Sequence, residues 1–319
     1  MNSESAVETR SLGTRPSRGT RLLRSFRRNW DLYLLISPVI AYFVIFHYIP
    51  MYGVQIAFKH FIAAKGIWGS DWAGFVHFER FFESYYFWRL IRNTVLINLY
   101  ELAVAFPVPI MLALLINEAG NRRFQRFVQT VTYAPHFLST VVMVGLILMF
   151  LDPENGIVNR IIQAFGGEPV SFMTEPEWFK TIYVLSGVWQ GMGWSSIIYL
   201  AALSGIDPAL HEAAKIDGAS RLQRIRHINL PGILPTIVIL LILNVGSMMN
   251  VGFEKIYLMQ NSLNIESSDV ISTYVYERGI LGAEYSFSTA VGLFNSVINC
   301  LLLVIVNAVA RRVNETSLW

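Results

Sequence analysis

The chain has 319 residues, 54% of them hydrophobic and 15% charged, with a mean hydropathy of +0.45. Soluble domains carry about 25% charged residues, so a pair of water-soluble domains is excluded and a polytopic membrane protein is implied. A single cysteine, Cys300, excludes an intramolecular disulfide and a cysteine-based zinc site, and the net charge of +3 is informative only through its uneven distribution.

Residues 10–28 hold the arginines Arg10, Arg15, Arg18, Arg21, Arg24, Arg27 and Arg28, and Glu4 and Glu8 are the only acids before Asp31. Residues 1–28 read as a disordered, basic cytoplasmic tail that sets topology. The adjoining membrane accounts for this charge without nucleic acid, and anionic lipid is a secondary partner. The apolar run that follows begins late, runs long and lacks a small-residue cleavage site, so a cleavable signal peptide is not expected.

Residues 29–319 are expected to form an all-α polytopic membrane domain of six spans, at 31–58, 93–117, 130–151, 179–203, 233–256 and 287–309. Each is long enough to cross about 30 Å of hydrocarbon as a helix, which satisfies its own backbone groups in lipid. Pro38, Pro107, Pro109 and Pro135 fall in or near these runs as tolerated kinks. With the tail inside, the inside segments are the tail, 118–129, 204–231 and the C-terminus, and they hold 16 of the 25 Lys and Arg residues. That bias follows the positive-inside rule and places both termini in the cytoplasm.

Between the first two spans, residues 59–92 are rich in aromatics, among them Trp68, Trp72, Tyr85 and Trp88. They predict a short helix near 78–89 lying on the outer surface as an interface anchor, with a docking surface as the alternative. The outer loop 152–178 is turn-rich through its Gly and Pro residues. No internal repeat is visible.

The segment 204–231 is charged and sits between two apolar runs. Asp207-Pro208 is a helix start, with Asp as N-cap and Pro at the first helical position. Helix formers follow in ALHEAAKI, Gly218 breaks the helix, and Ser220 caps a second one, RLQRIRHI, expected to stop at Pro231. The first helix has a small-residue face of Leu210, Ala213 and Ala214, which lets another protein approach closely but fills no core. A zinc protease helix needs a second histidine where Lys215 stands, so metal catalysis is not expected. A connector without a partner needs neither two helices nor a glycine hinge. Docking onto a cytoplasmic partner is the better physical account.

Glu212-Ala213-Ala214, then Gly218, Ile228 and Leu230-Pro231, resembles the EAA loop of ABC importer permeases in residue types and spacing. The run EAAKIDGA, which includes Asp217, is typical of it, while Ile225 stands where many sugar permeases have phenylalanine. NWDLYLLISPVIAYFVIFHYIPMYGVQIAFK near the start and YSFSTAVGLFNSVIN near the end resemble the oligosaccharide permeases of LplB type, a group similar to a permease of the bacterial alginate importer. The resemblance implies a type I ABC importer permease fold in a bacterial inner membrane. It implies that the first helix of the loop is a coupling helix seated on a separate ATPase, with Glu212 pairing a basic group there. The implied partners are a second permease, two ATPase copies and an external solute-binding protein, with an oligosaccharide as cargo. ATP and Mg would be held by the ATPase. No G-x-x-x-x-G-K-[ST] occurs in this chain, so it is not expected to be an enzyme or to hold a cofactor.

Polar groups in membrane spans face a cavity or a partner helix. Candidates for a substrate pathway are Asn98 and Glu101 in span two, Trp189, Gln190 and Trp194 in span four, Asn244 and Asn250 in span five, and Asn295 and Asn299 in span six. Amides and aromatic faces suit sugars, yet Asn and Gln also hold helices together and Trp marks interfaces. No basic residue is expected in the span middles, and His136 has no obvious second metal ligand. A stand-alone secondary transporter or channel is the alternative, but such proteins usually show repeat symmetry or a buried ion site. An intramembrane enzyme would need a paired constellation, which the spans do not offer.

Overall fold

The structure is a computed structural model that describes residues 28–314. The expected basic tail, apart from Arg28, and residues 315–319 lie outside the described residues. The chain divides into two compact units, the first ending at Gln55 and the second beginning at Ile56.

In the first unit, α1 (Trp30–Phe43) is followed by a π-helical turn (Val44–Tyr48) and then by Ile49–Met51. Pro50 offers no N–H to the carbonyl of Phe46, and the wider π-turn just ahead of it accommodates the ring without ending the helix. Counted through Phe58, this apolar helix has 29 residues, as expected for a first span.

The second unit begins with a two-stranded antiparallel ribbon, β1 (Lys59–His60) and β2 (Asp71–Trp72), with Lys59 opposite Trp72. Then come α2 (Val76–Phe82), α3 (Phe87–Val104), α4 (Pro107–Glu118), α5 (Arg122–Tyr133), α6 (Thr140–Phe150) and α7 (Ile157–Ala164). The long α8 (Pro176–Ser204) leads to α9 (Pro208–Ile216), α10 (Arg221–Arg224) and α11 (Leu230–Gly246). The chain closes with α12 (Phe253–Met259), α13 (Ile271–Tyr276) and α14 (Tyr285–Asn314).

Among the described residues, four helices are long and apolar enough to cross a membrane: Trp30–Phe58, Phe87–Glu118, Arg221–Gly246 and Tyr285–Arg312. The remaining two expected spans differ instructively. The fourth, α8, is one helix of 29 residues, about 43 Å at 1.5 Å per residue. Its glycines, serines and Gln190 lower its hydropathy, and it packs against α3, α4, α5 and α11. The third, expected as a continuous helix over 130–151, is broken: Arg122–Phe137 and Thr140–Phe150 meet at 101°. Pro135 interrupts the ladder, and Ser139 caps the new helix by accepting from the backbone N–H of Val142 at 3.3 Å.

Several boundaries are corrected as well. Span two starts at Phe87 rather than 93, and span six runs over Tyr285–Asn314 rather than 287–309. The helix expected at 78–89 is two, since the Ser84 hydroxyl accepts from the Tyr86 N–H and turns the chain between α2 and α3. The turn-rich loop 152–178 carries α7, held by buried Asn159, which bonds Val170 through both its amide and carbonyl groups. Pro231 does not stop the second hairpin helix: a π-turn (Ile225–Asn229) precedes it, as at Pro50, and the helix continues to Gly246. Span five therefore ends at Gly246, not 256, and Ser247–Gly252 is irregular backbone before α12.

Three apolar clusters hold the second unit. One joins Ile97, Phe179, Tyr183, Val184, Ile256 and Val270. A second joins Phe81, Leu90, Tyr274, Phe287 and Val291. A third joins Ile110, Ala113, Tyr199, Leu203 and Ile233. At one point backbone meets backbone: any Cβ at Gly193 of α8 would overlap the Thr132 carbonyl of α5. Gly193→Ala is expected to lower the yield of folded protein and its thermal midpoint in detergent, by overpacking worth about 1–3 kcal/mol. Gly191→Ala, where no atom is within reach of an added Cβ, should be tolerated in the same melt.

Candidate coupling hairpin and substrate cleft

The segment 204–231 forms the expected helix, turn and second helix. Asp207 caps α9 by accepting from the Ala209 N–H at 2.9 Å. At the other end the N–H of Gly218 reaches Lys215 O at 3.1 Å and that of Ala219 reaches Ala214 O at 2.8 Å, the Schellman pairing. Gly218 has φ +77°, which only glycine adopts freely. Ser220 and Gln223 then form a reciprocal capping box that starts α10. The hairpin is thus rigid through its own caps, although no residue of α9 is buried. Gly218→Val is expected to cost about 1–3 kcal/mol of local strain, seen as faster proteolysis of the hairpin with the spans intact.

Glu212, Ala213, Asp217 and Gly218 are exposed and Ala214 is half-buried. Ile228 is half-buried, and Leu230 and Pro231 are exposed on the first turns of the helix that becomes span five. The structure adds apolar side chains that sequence reasoning passed over: Ile216 is 86% exposed and Leu222 74% exposed, at the hairpin's tip. Exposed leucine and isoleucine in a segment with no buried face of its own fit a docking surface. Below the hairpin, Glu118 at the end of α4 accepts from Arg224 Nη2 at 2.9 Å and from Asn229 Nδ2 at 3.1 Å.

A cleft of about 410 Å³ opens among α3, α4, α8 and α11. Of the expected pathway residues, Asn98, Glu101, Asn244 and Asn250 line it, joined by Ser195, Ser247 and Tyr199. The other five expected residues are placed elsewhere. Gln190 Nε2 donates to Leu138 O at 3.0 Å, satisfying a carbonyl freed by the break before α6. Trp194 stacks on His136 at 4.4 Å between ring centroids. Trp189 is exposed on α8. Asn295 and Asn299 both donate to Asn250 Oδ1, at 2.9 and 3.1 Å, and Asn299 Oδ1 accepts from the Met249 N–H at 2.9 Å. These amides hold the irregular stretch after span five against span six, where its free backbone groups need partners.

A basic residue outside the span helices, Lys255 on α12, comes close to the cleft wall at Gly187. After the break at Ser247–Gly252, α12 places Lys255 so that its Nζ donates to Tyr183 O at 2.7 Å and lies 4.5 Å from the Tyr183 ring centroid. It stands within electrostatic reach of Glu101. Nearer the outer loops, Arg89 pairs with Asp269 at 2.7 Å, and burial pushes the Asp269 carboxyl up against the pull of that arginine.

Residues 105–315, which include the hairpin and most of the cleft, match the family described as binding-protein-dependent transport system inner membrane component. The chain belongs to that family. As an inner membrane component it is a transport subunit with the type I permease fold, rather than an enzyme. Over 302 residues it is 43% identical to Protein LplB of Bacillus subtilis, covering 95% of each chain. It is 44% identical to the polygalacturonan/rhamnogalacturonan transport system permease protein YteP of the same organism, over 94% of this chain and 93% of that one. A crystal structure of a bacterial ABC transporter involved in the import of the acidic polysaccharide alginate contains a chain that superposes with a TM-score of 0.86 at 43% identity, covering 92% of this inner membrane component and 99% of that chain. A second structure, of the bacterial alginate ABC transporter in complex with an alginate pentasaccharide-bound periplasmic protein, has the same TM-score and identity.

Proposed function

We propose that this chain is one of two permease subunits of an ATP-driven bacterial importer of oligosaccharides, and that it supplies half of an alternating-access pathway. The observation that carries this reading is the hairpin: a capped, rigid helix with no buried residue, whose surface includes Glu212, Ala213, Ala214 and exposed Ile216. Such an element stabilises nothing within the chain. Set between two spans, it suits transmission of a rigid-body displacement from a partner that binds nucleotide. The partner ATPase holds ATP and Mg, Glu212 pairs a basic group on it, Gly218 sets the turn, and Asp217, Ile228, Leu230 and Pro231 fix the second helix on span five. Asn98, Glu101, Asn244 and Asn250 contact the sugar, and an external binding protein delivers it. The relatives' substrates support an oligosaccharide as cargo. Residues 29–319 act as one permease domain with both termini in the cytoplasm.

The test is reconstitution into proteoliposomes. The chain with a partner permease, ATPase and binding protein should show sugar-stimulated ATP hydrolysis and uptake, and the chain alone should show neither. Uptake by the chain alone would instead establish a secondary transporter or channel.

A further inference from the structure

Span two is a single rod by length, yet its halves belong to different packed bodies. From Ile97 to Val104 its side chains pack in the cluster around Phe179, Tyr183 and Val270. From Phe106 to Leu114 they pack in the separate cluster of Tyr199, Leu203 and Ile233. The division falls at Ala105–Phe106, between α3 and α4, where regular helix is interrupted. Pro107 and Pro109 lack the N–H groups that the carbonyls of Ala103 and Ala105 would accept in a continuous helix. Ala105, Phe106 and Pro109 line the cleft at this point.

Each half is also pinned by polar contacts. In the outer half, Asn93 donates to the carbonyls of Glu266 and Asp269 at 2.8 and 3.0 Å, and the Thr94 hydroxyl accepts from the Ile271 N–H at 3.2 Å. At the inner end, the Glu118–Arg224 pair is only 12% exposed on each side, and Asn229, the second donor to Glu118, is fully buried. Arg224 and Asn229 lie between the hairpin's turn and span five. The inner half of span two is therefore bound to the hairpin, while the outer half is bound to the loops on the opposite side. A buried pair of this kind is weak evidence for stability but strongly resists losing one partner. Arg224 Nε and Asn229 Oδ1 have no hydrogen-bond partner among the described residues, so the clamp has capacity for a second arrangement.

We propose that Glu118, Arg224 and Asn229 are positioning residues that hand the hairpin's displacement to span two, and that Ala105–Phe106 is the hinge where it reshapes the cleft. This rests on the reading of the hairpin as the ATPase-docking element. Motion of the inner half then shifts Phe106 and Pro109 relative to Asn98 and Glu101 across the cleft, and moves Asn244 along span five.

The test uses the complete importer in proteoliposomes, with oligogalacturonate and oligoalginate as probes, and reads sugar moved per ATP hydrolysed. Glu118→Gln keeps the side chain's size, and with Arg224→Ala it should retain co-purification of the ATPase. Both should lower the sugar-to-ATP ratio about five-fold. Exchanging the charges, Glu118→Arg with Arg224→Glu, should recover most of that loss, which a merely folded hairpin would not require. An unchanged ratio in the single variants overturns the proposal. So does loss of ATPase co-purification in them, because the clamp would then serve only to fold the hairpin. The docking reading is tested separately by Ala213→Trp: if that variant keeps its ATPase and its coupled hydrolysis, docking fails whatever the clamp variants show.

Discussion

In vesicles carrying the assembled importer, Ala213→Trp is expected to reduce uptake at least about ten-fold while leaving membrane insertion and the chain's own stability unchanged. Exposed positions without caps or buried partners tolerate substitution within about 0.5 kcal/mol, and Ala213 is exposed on a helix with no buried residue. The damage must therefore fall on a partner. A tryptophan holds the helix away from any surface shaped to an alanine, and every neighbouring contact is lost with it. Glu212→Ala should act more weakly, because a single rim charge pair in water is worth about 0–1 kcal/mol. Ile216→Asp should approach the tryptophan variant, since its 86% exposed side chain has nothing to pack on within this chain. ATPase co-purification and sugar-stimulated ATP hydrolysis measure all three. Full activity in Ala213→Trp would reject docking through this helix.

The hairpin was legible because its signals are local. Asp207-Pro208, Gly218 and Ser220 with Gln223 act within four residues, and each appears in the structure as a cap or turn. Spans one, two, five and six were legible in kind because apolar runs of about 20 residues have few alternatives. What escaped depends on contacts distant in sequence. The bend before Thr140 needs Gln190 to satisfy Leu138 O, 52 residues away. The early end of span five needs Asn295 and Asn299 to hold Asn250. Residues 244–256, NVGSMMNVGFEKI, still hold enough apolar side chains to hide that break in a hydropathy reading. Lys255 falls at the end of the expected span five, and only the packing of α12 on α8 brings it beside Tyr183 and toward Glu101. The clamp at Glu118 joins residues 106 and 111 positions apart, beyond the reach of any periodicity. The π-turn before Pro231 was missed for a different reason. Proline in a sequence reads as a helix stop, and a wider turn that accommodates it leaves no mark in residue type.

The cleft permits a prediction about the charge of the cargo. Two relatives belong to transport systems for the acidic polysaccharides polygalacturonan and alginate. Yet the charged residue lining this cleft is an acid, Glu101. The other lining groups are amides, hydroxyls and apolar side chains. A lone carboxylate would repel an anionic sugar: two unit charges 8 Å apart interact by about 2 kcal/mol at an effective dielectric of 20. Lys255 opposes that field from behind the wall, held by Tyr183 O and the Tyr183 ring. With both present the wall is close to neutral overall and presents no cation to retain an anion. Glu101→Gln removes the acid and leaves Lys255 uncompensated, so the wall becomes cationic. The expected result is a rise of roughly ten-fold in the ratio of acidic to neutral oligosaccharide uptake, since one charge at this range is worth about 1–2 kcal/mol. Lys255→Met should move the ratio in the opposite direction. Competition uptake of oligogalacturonate against a neutral oligosaccharide of equal length reads this ratio directly, whatever either variant does to the absolute rate. If neither substitution moves it, Glu101 does not face the sugar, and the amides Asn98, Asn244 and Asn250 select their substrate by hydrogen bonds rather than by charge.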